Sequence, residues 1–166
     1  AECVPLELKY LPVVESAFYP MATSRVGAAG LWQFMVPTAK HYGLTVNSLL
    51  DERRDPIKSS QAAARYLKDL YNSFGDWTLA IAAYNCGRNN VLKAIKRAGG
   101  ARDYWAIYPY LPRETRGYVP AFIAANYVMN YYCDHKIPPM KTIAPAETDT
   151  VTVSRNLYLA QVAAAC

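Results

Sequence analysis

The stretch DPIKSSQAAARYLKDLYNSFG, residues 55–75, constrains the fold of this 166-residue chain more than any other. Asp55 is a typical helix N-cap, Pro56 favours the first helical position, and Gly75 is typical of a helix end. Apolar residues recur between them at intervals of three and four, so one face of a long helix should be buried. The members of this stripe are Ile57, Ala64, Leu67, Leu70, Tyr71 and Phe74.

Similar start and stop signals recur along most of the chain, and Pro12 and Pro120 mark expected breaks or kinks. Only TDTVTVS, after a Pro-rich segment, alternates like a strand. The sequence therefore predicts a mainly all-α fold, with one domain over residues 1–137 and a short extended Pro-rich tail or linker start at 138–166. The other predicted helices cover residues 6–17, 37–42, 76–85, 89–98 and 114–132.

The composition is that of an ordinary folded protein, with 52% hydrophobic and 19% charged residues. The longest uncharged run, GYVPAFIAANYVMNYYC, is interrupted by two Asn and one Pro, so we interpret it as a buried helix and not as a membrane span. The sequence does not open with a signal-peptide pattern, so we expect any export signal to have been removed or never present.

The four cysteines are Cys3, Cys86, Cys133 and Cys166, and their spacing is not that of a metal site. We therefore predict neither a metal nor a cofactor. Two disulfides and buried free thiols are equally compatible with a domain of this size.

The thirteen acidic residues can be sorted by their neighbours. Twelve have ordinary explanations: Asp55, Asp76 and Asp103 are predicted helix N-caps, and the others lie in a first helical turn, on an exposed helix face, at a helix end, or in charged or terminal segments. Glu15 has none, because LPVVESAFYP surrounds it with apolar and aromatic side chains that would exclude water. A rise in its pKa from about 4.3 to about 6 would lift the protonated fraction at pH 7 from roughly 1 in 500 to roughly 1 in 10. Such a group suits a general acid; the alternative is a Glu15 that turns to solvent at a helix end.

Three later segments supply side chains typical of a ligand cleft. SRVGAAGLWQFMVPTA combines small residues with Gln33, an amide donor and acceptor, and with Trp32 and Phe34 as expected apolar walls. A tight turn before the next helix would explain the same stretch. AAYN at the end of one predicted helix and ETRGYV at the start of another add a phenol, an amide and a carboxyl.

In this order, Glu15 with Ser16, GLWQ at 30–33, AYN at 83–85 and ETRGYVPAFIAANYV resemble the catalytic domain of the lytic murein transglycosylases. The resemblance covers residues 5–137, with looser similarity through TDTVTV. It implies a lysozyme-like helical domain, similar to goose-type lysozyme. It also implies cleavage of the β-1,4 bond between N-acetylmuramic acid and N-acetylglucosamine, with formation of 1,6-anhydromuramyl ends.

The resemblance also implies roles for individual residues. Glu15 would act first as acid and then as base, and the Tyr118 hydroxyl would hold its carboxyl. Ordinary glycosidases need two carboxylates, whereas here the acetamido group of the substrate would stabilise the cationic sugar. The implied substrate-binding residues are Ser24, Gln33, Met35, Tyr84, Asn85 and Glu114.

Two features depart from the pattern of the family. Its members commonly continue AAYNCG with Gly-Pro-Gly, whereas Arg88, Asn89 and Asn90 follow here, so we expect the loop beside the cleft to differ in shape or charge. Cysteines near both ends are not a family feature, and a bond between Cys3 and Cys166 is one hypothesis.

The formal net charge of +5 is compatible with an acidic polymer, and murein carries muramyl and stem-peptide carboxylates. The expected partner is the peptidoglycan glycan strand, in the bacterial envelope and most simply the periplasm, with an anchor outside this segment as an option. Nucleic-acid binding is not expected, because no RNA-binding or zinc motif is present. A hydrolytic muramidase on the same fold and a non-catalytic glycan-binding module remain as alternatives.

Overall fold

The computed structural model describes residues 4–138. Within that range β pairing is limited to three isolated bridges, so the prediction of a mainly all-α fold is confirmed. Short 3₁₀ helices lie at Leu6–Tyr10, Glu52–Arg54 and Tyr108–Tyr110. The α-helices are α1 (Leu11–Ser16), α2 (Val36–His41), α3 (Pro56–Phe74), α4 (Trp77–Cys86), α5 (Arg88–Arg97), α6 (Tyr104–Ile107) and α7 (Arg113–Tyr131).

Several predictions concern residues outside this range. The strand-like TDTVTVS and the hypothetical bond between Cys3 and Cys166 lie outside the described residues, as does almost all of the predicted tail, and they stay predictions. Cys86 and Cys133 carry free thiols. Across residues 4–138, no helix has both the length and the apolar character needed to cross a bilayer.

Aspartate caps begin three of the helices at the predicted places. The Asp55 carboxylate accepts from the backbone N–H groups of Ile57 and Lys58, each at 2.9 Å. Asp76 and Asp103 cap α4 and α6 in the same way, at 2.8 and 2.9 Å. Each cap satisfies N–H groups that have no partner within the helix, so these helix starts follow from local sequence alone.

Helix α4 forms the centre of the core. Its five residues 79–83 are all at most 3% exposed. It packs against α3, α5, α6 and α7, which explains why it is apolar on every side. Its last turn carries Tyr84 and Asn85, both half-buried, at the edge of this core, so a rigid element positions both side chains at the cleft.

Two predictions about buried helix faces are partly wrong. Ile57 is 72% exposed, because the buried face of the first turns of α3 runs through Ser59, Ala62 and Ala63 instead. Helix α7 is buried only in its first half; Ile123, Tyr127 and Tyr131 in its second half are 52%, 52% and 49% exposed. The predicted kink at Pro120 does not interrupt this helix.

The predicted helix over residues 6–17 is split between a 3₁₀ helix and α1. Pro12 lies within the first two positions of α1, where its missing N–H removes no helical hydrogen bond. The break therefore falls at the change of helix type, one residue before the proline.

A buried arginine holds the loop that follows α1. The Arg53 guanidinium donates to the carbonyl oxygens of Gly27 and Phe34, at 2.9 and 3.0 Å, and pairs with Asp51 at 2.8 Å. Gly30 lies against the backbone of this arginine: a Cβ there would stand 1.8 Å from the Arg53 carbonyl oxygen. With φ at +85°, position 30 requires glycine on both steric and conformational grounds.

Replacing Gly30 should therefore destabilise the fold strongly. We expect Gly30→Ala to lower the free energy of unfolding by at least about 3 kcal/mol, because the backbone of residue 53 must move. Gly43→Ala is the matched control: its φ is +84° but it has open space around it, so about 1 kcal/mol is expected. Urea unfolding of both variants checks this, and equal losses would contradict the close approach at Gly30.

Candidate active site

Glu15 lies in the last turn of α1, which ends abruptly. Ala17 and Phe18 both adopt left-handed backbone conformations, with φ of 50° and 59°. Such conformations are uncommon for residues other than glycine and mark a place that the surrounding structure must hold. The Ser16 hydroxyl supplies part of that hold, donating to the Leu31 carbonyl at 2.9 Å. The end of α1 is thereby joined to the loop that carries Gln33.

The Glu15 carboxyl meets α7 through a direct hydrogen bond. The Tyr118 hydroxyl donates to Glu15 Oε1, although the two residues are 103 positions apart in sequence. Tyr118 is only 7% exposed, so its ring is fixed by core packing. A carboxyl held by a rigid phenol has one orientation toward the cleft, which a proton-transfer group requires.

The electrostatics of Glu15 are unusual for a carboxyl. Burial raises its pKa from 4.5 to about 7; the Tyr118 hydrogen bond opposes this rise and the nearby Glu114 adds to it. About half of the molecules then carry the Glu15 proton at pH 7. The rise predicted from the apolar neighbours in sequence is thus present in the structure, and the same side chain can donate and later accept a proton near neutrality.

All eight residues predicted for the site line one cleft of about 560 Å³. Glu15 on α1 and Tyr118 on α7 are neighbours in its lining, joined by their hydrogen bond. The other predicted members are Ser24, Gln33, Met35, Tyr84, Asn85 and Glu114. The sequence reasoning missed Val14, Val26, Ala28, Gly117 and Ala121, which also line it. Small and aliphatic residues such as these carry no functional signal in a single sequence. The individual roles of the eight predicted residues stay predictions.

Gln33 is locked into the loop by its own amide. Its backbone has φ of 47°, and its Nε2 donates to the Gly30 carbonyl at 2.8 Å and more weakly to the Ala22 carbonyl at 3.4 Å. Ser24 is held in a similar way, its hydroxyl accepting from the Ala28 N–H at 3.0 Å. Both polar groups are therefore positioned before any ligand arrives, which lowers the entropic cost of binding one.

Tyr84 and Asn85 connect α4 with its neighbours at the cleft. The Tyr84 hydroxyl donates to the Trp32 carbonyl at 2.8 Å, and the Thr115 hydroxyl donates to Asn85 Oδ1 at 2.8 Å. The Asn85 oxygen is thus used within the fold, and its NH₂ group is the part that remains for a ligand.

The predicted apolar walls are wrong. Trp32 is 7% exposed and its indole N–H donates to the Ser60 hydroxyl at 2.8 Å, so it belongs to the core. Phe34 is 2% exposed and packs near Tyr66 and Tyr84. The turn at residues 30–33 directs both rings inward, and neither lines the cleft around Glu15.

Arg88 and Asn90, which depart from the family pattern, lie in the first turn of α5. The Arg88 guanidinium donates to the Ser73 hydroxyl at 3.2 Å, and the Asn90 amide donates to the Cys86 carbonyl at 2.8 Å. Neither side chain lines the cleft of Glu15. Sequence reasoning overlooked two residues that support the cleft: Arg53 holds the loop that follows α1, and Thr115 holds the Asn85 side chain.

This geometry defines a class of protein: a lysozyme-like helical domain with one desolvated glutamic acid in an open cleft. Residues 2–107 match the family model of the transglycosylase SLT domain. The chain therefore belongs to the transglycosylase SLT domain family, and the resemblance that the motifs predicted is confirmed.

Named relatives agree with this assignment. The chain is 44% identical over 130 residues to membrane-bound lytic murein transglycosylase D of Escherichia coli K12, covering 76% of this chain and 28% of that protein. It superimposes on the 70 kDa soluble lytic transglycosylase of Escherichia coli with a TM-score of 0.66 and 30% identity, covering 80% of this chain and 22% of the other.

A third similar structure is that of Slt from Pseudomonas aeruginosa, in an inactive form with one glutamate changed to glutamine. The TM-score is 0.61 and the identity 26%, over 80% of this chain and 22% of the other. The chain thus spans between about a fifth and a little over a quarter of the length of these relatives.

The raised pKa of Glu15 predicts a stability cost that depends on pH. Below pH 4.5 the folded and unfolded states both hold the proton. As pH rises from 4.5 toward 7, the unfolded chain loses this proton first, so the free energy of unfolding falls. Above pH 7 both states have lost the proton and the fall is complete. Because Glu15 is partly exposed, we expect Glu15→Gln to be more stable than wild type by about 1–3 kcal/mol at pH 8, and by little at pH 4.

Urea unfolding at pH 4, 6 and 8 checks this expectation. Glu114→Gln is the matched control, since it removes an exposed carboxylate from the same cleft, and its gain at pH 8 should be much smaller. A Glu15→Gln gain that is the same at all three pH values, or absent, would contradict the desolvation of this carboxyl.

Proposed function

We propose that this chain is a peptidoglycan lytic transglycosylase. It would cleave the β-1,4 bond between N-acetylmuramic acid and N-acetylglucosamine and leave 1,6-anhydromuramyl ends. The observation that carries the proposal is Glu15, a desolvated carboxyl with a pKa of about 7, held by Tyr118 in an open cleft. Membership of the SLT family supports the same activity.

In the first step Glu15 acts as general acid. Its proton passes to the oxygen of the leaving N-acetylglucosamine as the bond from that oxygen to C1 of the muramyl sugar breaks. Burial keeps the proton on Glu15 near neutral pH, and the leaving oxygen gains it as negative charge develops there. The Tyr118 hydroxyl donates a hydrogen bond that stabilises the carboxylate form of Glu15, and so it limits the rise in the Glu15 pKa.

In the second step the same carboxylate acts as base. The acetamido group of the muramyl sugar stabilises the positive charge at C1, and the C6 hydroxyl of that sugar then attacks C1. Glu15 takes the proton from the C6 hydroxyl as the new bond closes the 1,6-anhydro ring. The enzyme returns to its starting protonation state and no water is consumed, so one carboxyl is sufficient.

The position of Glu114 favours this mechanism over hydrolysis. A two-carboxylate glycosidase needs a second carboxylate held as nucleophile or as base for water. Glu114 is the other acidic residue of the cleft, but it is exposed and makes no side-chain hydrogen bond within residues 4–138. We propose that Glu114 contacts bound glycan, as do Ser24, Gln33, Met35, Tyr84 and Asn85.

The proposed place of action is the peptidoglycan of the bacterial envelope. The Escherichia coli relatives are named membrane-bound and soluble lytic murein transglycosylases. The net charge of +5 should favour encounter with an anionic wall polymer. Attachment to a membrane through a segment outside this chain stays a prediction.

The products of digestion test the proposal. Purified peptidoglycan is incubated with wild type and with Glu15→Gln, and soluble products are identified by mass spectrometry. We expect anhydromuramyl ends, one water lighter than hydrolytic ends, from wild type, and a rate at least about 100-fold lower from Glu15→Gln, because the amide keeps the shape and lacks the proton. The inactive glutamine variant of the Pseudomonas aeruginosa neighbour supports this choice of substitution.

Two further variants identify the alternatives. Tyr118→Phe should form the same anhydro product more slowly, and Glu114→Gln should still form it. Reducing ends in place of anhydro ends, lost in Glu114→Gln, would replace the proposal with a hydrolytic muramidase. Unchanged peptidoglycan that binds wild type would point to a non-catalytic glycan-binding module.

A further inference from the structure

Tyr104 is a fully buried phenol that the proposed mechanism does not use. It begins α6 directly after the Asp103 cap, and it is 0% exposed. Burial raises the pKa of its hydroxyl to about 12, so the group keeps its proton and can donate it to a hydrogen bond. The hydroxyl donates to the Arg116 carbonyl at 2.7 Å and also approaches the Thr115 carbonyl at 3.3 Å. A buried phenol needs such a partner, but here both carbonyls lie inside helix α7.

Pro120 explains why the Arg116 carbonyl is free to accept this bond. In an α-helix the carbonyl of residue 116 accepts from the N–H of residue 120. Proline has no N–H, and its ring crowds the carbonyl four residues earlier, so an interior proline normally kinks or breaks a helix. Helix α7 nevertheless continues through this position to Tyr131. The Tyr104 hydroxyl therefore supplies the donor that Pro120 lacks.

The turn of α7 that Tyr104 supports is the one that meets the Glu15 site. It begins with Thr115, whose hydroxyl donates to Asn85 Oδ1 at 2.8 Å, and it ends with Tyr118, whose hydroxyl donates to Glu15. The carbonyls that accept from Tyr104 belong to this same turn. Because side chains move with the backbone of their turn, a shift here would move Tyr118 relative to the carboxyl on α1.

The ring of Tyr104 is fixed well enough to act as a support. It packs edge-on against Trp105 and Tyr108, with ring centroids 5.0 and 6.0 Å away. Helix α6, which carries it, packs against α4 and α5, and α4 also packs against α7. The bond from Tyr104 to the Arg116 carbonyl thus ties the turn of α7 to the centre of the core.

We propose that Tyr104 is a positioning residue, whose hydroxyl replaces the donor missing at Pro120 and so holds Tyr118 against the Glu15 carboxyl. It does not line the cleft, so it acts through the backbone of α7 and not by touching substrate. Without this hydroxyl the Arg116 carbonyl would need another donor, and water entering the helix at a proline bends it. The consequence for catalysis rests on the proposed function, whereas the effect on Glu15 does not.

The pKa of Glu15 is the readout, because a loss of stability alone would not move it. Burial raises this pKa and the Tyr118 hydrogen bond opposes the rise; Glu114 on α7 and Tyr84 on α4 are the other titratable groups near the carboxyl. Weakening the Tyr118 bond through Tyr104→Phe should therefore raise the Glu15 midpoint by at least about 0.5 in a carbon-13 NMR titration. An unchanged midpoint would overturn the inference.

Pro120→Ala tests whether the missing donor is the reason. Alanine at position 120 returns an N–H to the Arg116 carbonyl, so the Tyr104 hydroxyl should become dispensable. In Tyr104→Phe/Pro120→Ala we expect a Glu15 midpoint within about 0.2 of that in Pro120→Ala alone. A midpoint that stays raised in the double variant would overturn the pairing of Tyr104 with Pro120.

The same pair of substitutions keeps the test decisive if Tyr104→Phe alone does not fold. Urea unfolding is then compared between the single and the double variant. A double variant that folds supports the inference, because only the restored N–H distinguishes the two backbones at Arg116. A double variant that is also unfolded overturns it.

Tyr118→Phe shows whether Tyr118 transmits the effect. In that background Tyr104→Phe should change the Glu15 midpoint by less than about 0.2, because the bond that it would weaken is already absent. A full rise in that background would mean that Tyr104 acts on Glu15 by another route.

Tyr42→Phe is the matched control. It also removes a phenol hydroxyl, one that donates to Asp69 at 3.0 Å, and Tyr42 lies outside the lining of the cleft. The Glu15 midpoint should stay unchanged in this variant, with or without Pro120→Ala. A rise equal to that in Tyr104→Phe would attribute the effect to general loosening of the fold and overturn the inference.

Activity on peptidoglycan connects the inference with the proposed function. We expect kcat for anhydromuramyl products to fall about 3- to 10-fold in Tyr104→Phe and to recover to within about 2-fold of the Pro120→Ala value in the double variant. An unchanged kcat in Tyr104→Phe would overturn the catalytic part of the inference. If wild type releases no product, the proposed function fails, while the NMR titration still decides whether Tyr104 positions Tyr118.

Discussion

The hydrogen bond between Glu15 and Tyr118 is the interaction on which the site depends, and it links helices 103 positions apart in sequence. Two opposing influences act on the pKa of this carboxyl. Burial raises the pKa of Glu15 to about 7, while the phenol stabilises the charged form and limits the rise. A carboxyl balanced in this way can hold a proton and release it at neutral pH, which suits a mechanism that uses one group twice.

The rest of the fold holds that pair in place. Helix α4, buried along residues 79–83, supports α7 from within and presents Tyr84 and Asn85 at the cleft. On the other side, Arg53 and the close approach at Gly30 hold the loop that receives the end of α1. Rigid support on both sides offsets the strain of the left-handed residues after Glu15, as is common where a site stores an unfavourable charge or conformation.

Local features of the fold were predictable from sequence, and long-range ones were not. Asp55, Asp76 and Asp103 identify helix starts because a cap acts within one turn. The desolvation of Glu15 was likewise readable from its apolar neighbours. Trp32 and the second half of α7 were misjudged, because the side that a residue presents to the core depends on packing partners distant in sequence. The cleft members came from motif resemblance, and a single sequence held no sign of the structural role of Arg53.

The most direct test of this account is the pKa of Glu15 itself, measured by carbon-13 NMR titration of its side-chain carboxyl. The resonance is assigned by its absence in Glu15→Gln. The account predicts a midpoint of about 7, far above the ordinary value of 4.5. A midpoint near 4.5 would mean that water reaches the carboxylate freely, and Glu15 would then lack the proton that the proposed first step requires.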